Sequence, residues 1–400
     1  MNILQVTNKV PFPARDGGAI ACLNLTKGFA QLGNRVTVLA MNTAKHHLSP
    51  DEIPDEIKQL ATFKLVNVPA KINVFAALVN LLFSRKPYNA VRFIDENFSK
   101  ALADLLSENE FNIVQLEGLY VCPYIPVIRK YSNATVVYRA HNVEFEIWER
   151  AAKLSRGLKK LYLQNLSKRI KRFESNLLNA YDLLVPITSR DGGILHSLGN
   201  KKDKQVSQTG VDLSAVIPDR TNIEYPSLFH IGSLDWAPNQ EGILWFIENC
   251  WIKIRNKYPD LRFHVAGRNA PQWLIDKLNV DGVIFEGEVP DAYQFMNSKA
   301  VMIVPLFSGS GMRIKIIEGM ALGKSIVTTS IGAEGIDVTD GENVILANDA
   351  TGFVDAVFNL LEDRVRFERI GRNATLFIQQ NFDNLAISKI LIGFYKQYTK

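Results

Sequence analysis

Short apolar runs, each followed by a stretch of helical spacing, recur along this chain in two series. The first series is "NILQVTN", "RVTVLAM", "FKLVNVP", "FNIVQLEG", "TVVYRAHN" and "YDLLVPITSRD". The pattern restarts near Tyr225 with "PSLFHIGSLDW", "LRFHVAGR", "GVIFEGEV", "AVMIVPLF", "SIVTTS" and "NVILAND". Strands that are apolar on both faces have to be covered on both faces, and a parallel sheet between two helical layers does this. The pattern therefore predicts two α/β units in succession. A length of 400 residues, 47% of them apolar, exceeds what one core usually holds. The expected division is a first domain over 1–210, a linker over 211–226, a second domain over 227–378, and a helix over 379–400 that can pack back on the first. The linker is placed on its polar and turn-forming residues. Open parallel sheets bind ligands beyond the carboxyl ends of their strands. Two such domains facing each other would enclose a cleft lined by those ends.

The stretch "GSGMRIKIIEGMALGKSIVTTSIGAEGI", Gly309 to Ile336, sets glycines and charges beside a buried strand. Pro305 is expected to end that strand, and a helix to begin after the loop that carries Gly309, Ser310 and Gly311. Glycine permits close backbone approach, and N–H groups at a helix start attract anions. Arg313 can add a bidentate phosphate contact and Lys315 a point charge. Glu318 lies too deep in the helix to cap it. It can accept hydrogen bonds from two ribose hydroxyls, or it can pair with Lys315 three residues before it. The following "TSIGAEGI" supplies a second small-residue loop with Glu334 in it. The glycines fit neither G-x-G-x-x-G nor a Walker A loop, which argues against dinucleotide redox chemistry and ATP hydrolysis.

Three separated cysteines, Cys22, Cys122 and Cys250, predict no disulfide framework and fit a reducing, cytoplasmic compartment. No cluster has metal-ligand spacing, and "MNILQVTNKVPFP" reads as a first strand rather than a signal peptide. "INVFAALVNLLF", Ile72 to Phe83, is too short to span a bilayer and is either a core helix or an interfacial one. The formal charge of +5 says little, but Lys153 to Glu174 holds eight basic residues and one acidic one. Leucines at helical spacing within it predict one basic amphipathic helix. It is either a solvated face or a contact with an anionic membrane over 153–172, at the inner face of the plasma membrane. No nucleic-acid recognition motif accompanies it.

Taken in order, these segments resemble the retaining glycosyltransferases of family 4, which have the GT-B fold of two Rossmann-like domains. The resemblance rests on "PFPARDGGA", "YRAHNVE", "FHIGSLDWAPNQEGILWF", "FHVAGR", "VIFEGEV", "GSGMRIKIIEGMALG" and "TSIGAEGI". It makes 1–210 the acceptor domain and 227–378 the donor domain. Gly17 and Gly18 resemble the glycines of the first loop, which approach the donor phosphates or sugar. His141 resembles the active-site histidine near the transferred sugar, although a histidine at a strand end is more often only a satisfied polar residue. Arg268 lies where a basic donor-binding residue is often found. Glu318 resembles the second glutamate of the E-x7-E motif, which binds the nucleotide ribose. Eight positions before it stands Ser310, so the first glutamate is absent. Asp235 and Glu334 are further strand-end candidates.

The resemblance implies transfer of a sugar from a nucleoside-diphosphate donor, with the anomeric configuration retained, to a glycan or lipid-linked acceptor in cell-surface polysaccharide assembly. The donor is a substrate and no cofactor is expected. UDP, GDP and ADP are not distinguished. No D-x-D pair occurs, so no bound metal is required. Two other readings are a nucleotide-sugar binding protein without catalysis and an epimerase of related fold.

Overall fold

The computed structural model describes all residues except 15, 310 and 400, together with every side chain but that of residue 154 among the helical ones. Ser310, expected in the donor loop, therefore lies outside the described residues. The chain divides into two compact units, 1–210 with 384–400, and 211–383.

Six parallel strands form the sheet of the first unit: β1 (Asn2–Thr7), β2 (Arg35–Asn42), β3 (Thr62–Asn67), β4 (Ile113–Glu117), β5 (Thr135–Ala140) and β6 (Leu183–Pro186). Their order is β3-β2-β1-β4-β5-β6. Successive residues of a strand face opposite sides. Accordingly Ile3, Val38 and Val137 join one core, and their neighbours Leu4, Leu39 and Val136 join the other. This is why the strands read as unbroken apolar runs. The final helix, Asn384–Lys396, belongs to this unit and contributes Leu391, Ile392, Phe394 and Tyr395 to the core that also takes Leu25 and Phe29 from the helix Gly17–Gln31. The two helices approach closely at Gly28, where a Cβ would lie 2.0 Å from Ser388 Oγ.

The second unit repeats the plan with β7 (Glu224–Ile231), β8 (Phe263–Ala266), β9 (Val283–Gly287), β10 (Lys299–Val304), β11 (Ser325–Thr328) and β12 (Ile345–Leu346). The order is β12-β11-β10-β7-β8-β9, again all parallel. In each sheet the first and fourth strands are neighbours, β1 with β4 and β7 with β10. The chain leaves these two strands in opposite directions along the sheet, and the crevice between them is where an open α/β sheet takes its ligand.

Three expectations are corrected. The strand that opens the second unit begins at Glu224, inside the segment assigned to the linker. Its start is held by contacts remote in sequence: Lys299 pairs with Glu224, and the Tyr225 ring packs 5.2 Å from that of Phe367. Gly17 and Gly18 are the first two residues of their helix rather than a loop before it, because Asp16 caps it by accepting from Ala19 N at 3.0 Å. The basic stretch is not one helix but two, Glu144–Leu154 and Gly157–Leu177. Leu163, Leu166 and Ile170 of the second are buried in the core, whereas Leu158 and Leu161 face outward.

Candidate functional site

At the carboxyl ends of β4 and β5 the first unit gathers polar groups in an otherwise apolar layer. Glu117 is the last residue of β4 and is 4% exposed. One of its oxygens accepts from Arg139 Nη1 at 3.1 Å and lies 2.7 Å from His141 Nε2. The other accepts from Gln5 Nε2 at 3.2 Å and from Gln115 Nε2. Gln115 in turn accepts from Tyr395 of the final helix at 2.5 Å, and Thr26 donates to Gln5 at 2.6 Å. Burial by itself would raise the Glu117 pKa. The Arg139 charge and the hydrogen bonds from His141 and Gln115 outweigh it and hold the carboxyl at about 2. Burial, aided by the Arg139 charge, lowers the His141 pKa although the Glu117 hydrogen bond opposes it. A neutral imidazole beside an ionised carboxylate carries its proton on Nε2, so Nδ1 is the acceptor.

Lys9, which follows β1, pairs with Asp16 at 2.5 Å. Its charge acts on Asp16, His141 and Glu144 alike. The helix start at Gly17 and Gly18 and the histidine therefore occupy the same end of this sheet. A Cβ on Gly18 would stand 3.3 Å from the Lys9 ammonium, so the glycine leaves room for that cation.

In the second unit, β10 leads through Gly309 and Gly311 to the helix Ile314–Ala321. Gly309 has φ +108°, a conformation that strains any side-chain-bearing residue, and a Cβ there would meet the Trp236 ring at 2.9 Å. The Arg313 guanidinium lies over that ring, 5.6 Å from its centre, and Nη1 donates to Gly311 O. Arg313 is 5% exposed. Lys315 donates to Asn239 Oδ1 at 2.7 Å, and its Nζ is 3.1 Å from His230 Nε2. His230 Nδ1 lies 2.8 Å from Ile303 O, which fixes the proton on Nδ1 and turns the Nε2 lone pair to the lysine. Burial and then the Lys315 charge keep His230 neutral, well below its ordinary pKa. Burial, with the Arg313 charge added, lowers Lys315 to about 7.

Glu318 does not pair with Lys315. It accepts from the Tyr293 hydroxyl at 2.9 Å, and burial raises its pKa to about 7 against that hydrogen bond. Arg268 follows β8, with Nε 3.4 Å from Ser233 Oγ in the turn after β7. Asp235 is exposed in that same turn, and Glu334 is half-buried in the turn after β11. The second sheet thus collects Arg313, Lys315 and Arg268 at the carboxyl ends of its strands, with Glu318 one helical turn beyond Lys315.

Sequence reading missed His230, Asn239 and Tyr293, which hold Lys315 and Glu318 in place. It also missed Glu117 and Arg139, which hold His141. The available signal was a charged residue at the end of each apolar strand, "IVQLE" and "VVYRA". Among the described residues, no group of three His, Cys, Asp or Glu side chains is gathered where one metal ion could be held.

Known proteins match this chain at three levels. Residues 225–363 match the family model described as glycosyl transferases group 1. Along its length the chain is similar to an uncharacterized 44.6 kDa protein in the cps region of Klebsiella pneumoniae, 22% identical over 417 residues and covering 99% of each. Among solved structures it is similar to Anabaena HepE in complex with UDP, with TM-score 0.72, 14% identity and coverage of 99% and 100%. The same protein has been solved with UDP-glucose. The sucrose-phosphate synthase of Thermosynechococcus elongatus matches with TM-score 0.72, 16% identity and coverage of 100% and 99%. The chain has the two-domain GT-B fold of these solved structures, and its second domain matches the family model of the group 1 glycosyl transferases.

Proposed function

We propose that this chain is a retaining glycosyltransferase that moves a sugar from a nucleoside-diphosphate donor to a hydroxyl of a glycan or lipid-linked acceptor. Its expected setting is cell-surface polysaccharide assembly at the cytoplasmic face of the membrane. The observation that carries this reading is the half-buried Lys315, held by His230 and Asn239 beside the buried Arg313, at the carboxyl end of the β7–β10 crevice.

Departure of the leaving group builds negative charge on the β-phosphate. Fixed cations in a partly dry site stabilise that charge more than water does. Lys315, with its pKa near 7, is poised to take up a proton as the diphosphate arrives. Arg313 stacks on Trp236 and so presents its guanidinium in a fixed plane. This cationic pair makes the reaction metal-independent in our reading. Glu318 holds the ribose hydroxyls, with the first-glutamate position taken by Ser310. His141 acts beside the anomeric carbon. The Glu117 carboxylate behind it orients the ring and lets it tolerate the positive character that develops there.

The UDP and UDP-glucose bound to HepE make uridine donors the first to test. A calorimetric screen of UDP-, GDP- and ADP-sugars, followed by product analysis with and without acceptor, tests the proposal. Binding without turnover on any acceptor would favour a non-catalytic binding protein, and an altered donor sugar in the absence of acceptor would favour an epimerase.

A further inference from the structure

The helix Val74–Phe83 buries none of its ten residues, although its sequence is "VFAALVNLLF". Ile72, Val74, Phe75, Leu82 and Phe83 are each more than 70% exposed, and Leu78 and Val79 lie beside them. Positions 74, 75, 78, 79, 82 and 83 form a continuous stripe along a helix. From Lys71 to Lys86 the chain has no acidic residue, and Lys71, Arg85 and Lys86 are exposed at the two ends of the helix.

The structure fixes this helix against the basic one. Arg169 of helix Gly157–Leu177 reaches Asn80 O at 3.1 Å, Ser84 O at 2.5 Å and Lys86 O at 2.7 Å. The inner face of that second helix is buried through Leu163, Leu166 and Ile170. Its outer face exposes Lys159, Lys160, Lys168, Lys171 and Arg172 with Leu158 and Leu161. An apolar stripe and a cationic face are thus joined in one domain through the half-buried Arg169.

We propose that the helix Val74–Phe83 lies side-on in the headgroup–acyl boundary of an anionic bilayer, with the helix Gly157–Leu177 placing its lysines and arginines on lipid phosphates. Charge chooses this occupant. A second copy of the chain would bring the same positive face to the contact, whereas an anionic lipid surface complements it. Length agrees. Ten helical residues span about 15 Å, half of the roughly 30 Å hydrocarbon core, so the helix can lie in the interface but not cross it. No helix among the described residues is long and apolar enough to span a membrane. The proposal does not depend on the donor chemistry, and its test is chosen accordingly.

The full chain is sedimented with vesicles of phosphatidylglycerol and phosphatidylcholine, and with phosphatidylcholine vesicles alone, at low and high salt. Binding to the anionic vesicles is expected to exceed binding to the neutral ones by about tenfold or more, with a salt-resistant remainder from the inserted stripe. The double variant Phe75→Glu/Leu82→Glu should lose that remainder and keep its melting temperature, because both positions are exposed. Lys159→Glu/Lys160→Glu should lose the salt-sensitive part. A Phe75→Trp reporter should shift to the blue on vesicles and be quenched by brominated acyl chains. UDP binding, measured in parallel, should be unchanged in all of these variants, so failure of the donor reading and failure of this one are seen separately. Equal binding by wild type and the Phe75/Leu82 variant, or an unquenched reporter, overturns the proposal. So does a vesicle-independent dimer that the same double substitution dissolves.

Discussion

Lys315 Nζ lies 3.1 Å from the unprotonated Nε2 of a buried His230, so the lysine's neighbour accepts a hydrogen bond but brings no negative charge. A desolvated ammonium without a counter-ion gives up its proton easily, and desolvation, with the Arg313 charge added, lowers the Lys315 pKa to about 7. A bound diphosphate would supply the missing charge and return the pKa toward its ordinary value. The complex then binds more protons than the free protein above pH 7. Nucleoside-diphosphate affinity should therefore fall as pH rises from about 7 to 10, where the β-phosphate, with its second pKa near about 6, no longer changes charge. Calorimetry at pH 8 in buffers of different ionisation enthalpy should record proton uptake by wild type. Lys315→Met should abolish that uptake, and uptake that survives the substitution would remove Lys315 from the phosphate site.

Arg313 and Lys315 follow a strand-to-helix loop, and both should act on phosphate rather than on the nucleoside. Arg313→Ala and Lys315→Ala are each expected to weaken UDP binding about tenfold to a hundredfold, the range of one charge-assisted hydrogen bond. Uridine binding should change by less than about threefold on the same scale. Equal losses for UDP and uridine would assign both side chains to shaping the pocket.

Much of the fold was legible because its signals are local. Each strand announces itself as an apolar run, and the loop from Gly309 to Arg313 compresses glycine and cation into a few residues. What stayed hidden is the set of partners that immobilise those groups. Lys315 is held by residues 85 and 76 positions away, and Glu318 by one 25 away. His230 and Asn239 come from β7 and the helix after it, and become neighbours of Lys315 only because β7 pairs with β10. Glu117 reads as one polar residue in "IVQLE" until β4 is laid beside β5 and Arg139 reaches it. The two outward leucines, Leu158 and Leu161, share the helical spacing of the buried Leu163 and Leu166, so periodicity could not separate them. Exposure of the apolar helix Val74–Phe83 is likewise a tertiary fact, since the same sequence would serve as a core helix.

Glu117 couples stability to pH. Its folded pKa of about 2 lies below its ordinary value of 4.5. A depressed carboxyl stabilises the fold fully above the unfolded pKa, and the contribution is lost as pH falls from about 4.5 through 2. Wild type should lose stability across that acid window. Glu117→Gln should lose less there but start lower, by about 3–5 kcal/mol at neutral pH, because Arg139 is left buried without its counter-ion. Denaturant melts at a series of pH values read both effects, and parallel curves for the two proteins would show that Glu117 is not the group responsible.

His141 and Glu318 should differ in which kinetic constant they govern. Glu318 holds the donor ribose in our reading, an interaction made in the ground state and kept in the transition state. Removing such uniform binding raises KM and spares kcat, provided chemistry is slower than donor release. Glu318→Ala should raise the donor KM about tenfold to a hundredfold with little change in kcat. In the same reading His141 acts where charge develops, and a preorganised contact of that kind strengthens only as the transition state forms. His141→Ala should therefore lower kcat, by about a hundredfold or more, with the donor KM nearly unchanged. The Glu117 hydrogen bond supplies an internal control. Glu117 is buried behind the ring and in this reading positions it, so Glu117→Gln should lower kcat and move the pH–rate profile, whereas His141→Ala should lower kcat and flatten its histidine limb. Steady-state kinetics across pH on the three variants, with folding checked by circular dichroism, make the comparison. A well-folded His141→Ala protein with wild-type kcat would leave His141 as a polar side chain that merely satisfies Glu117.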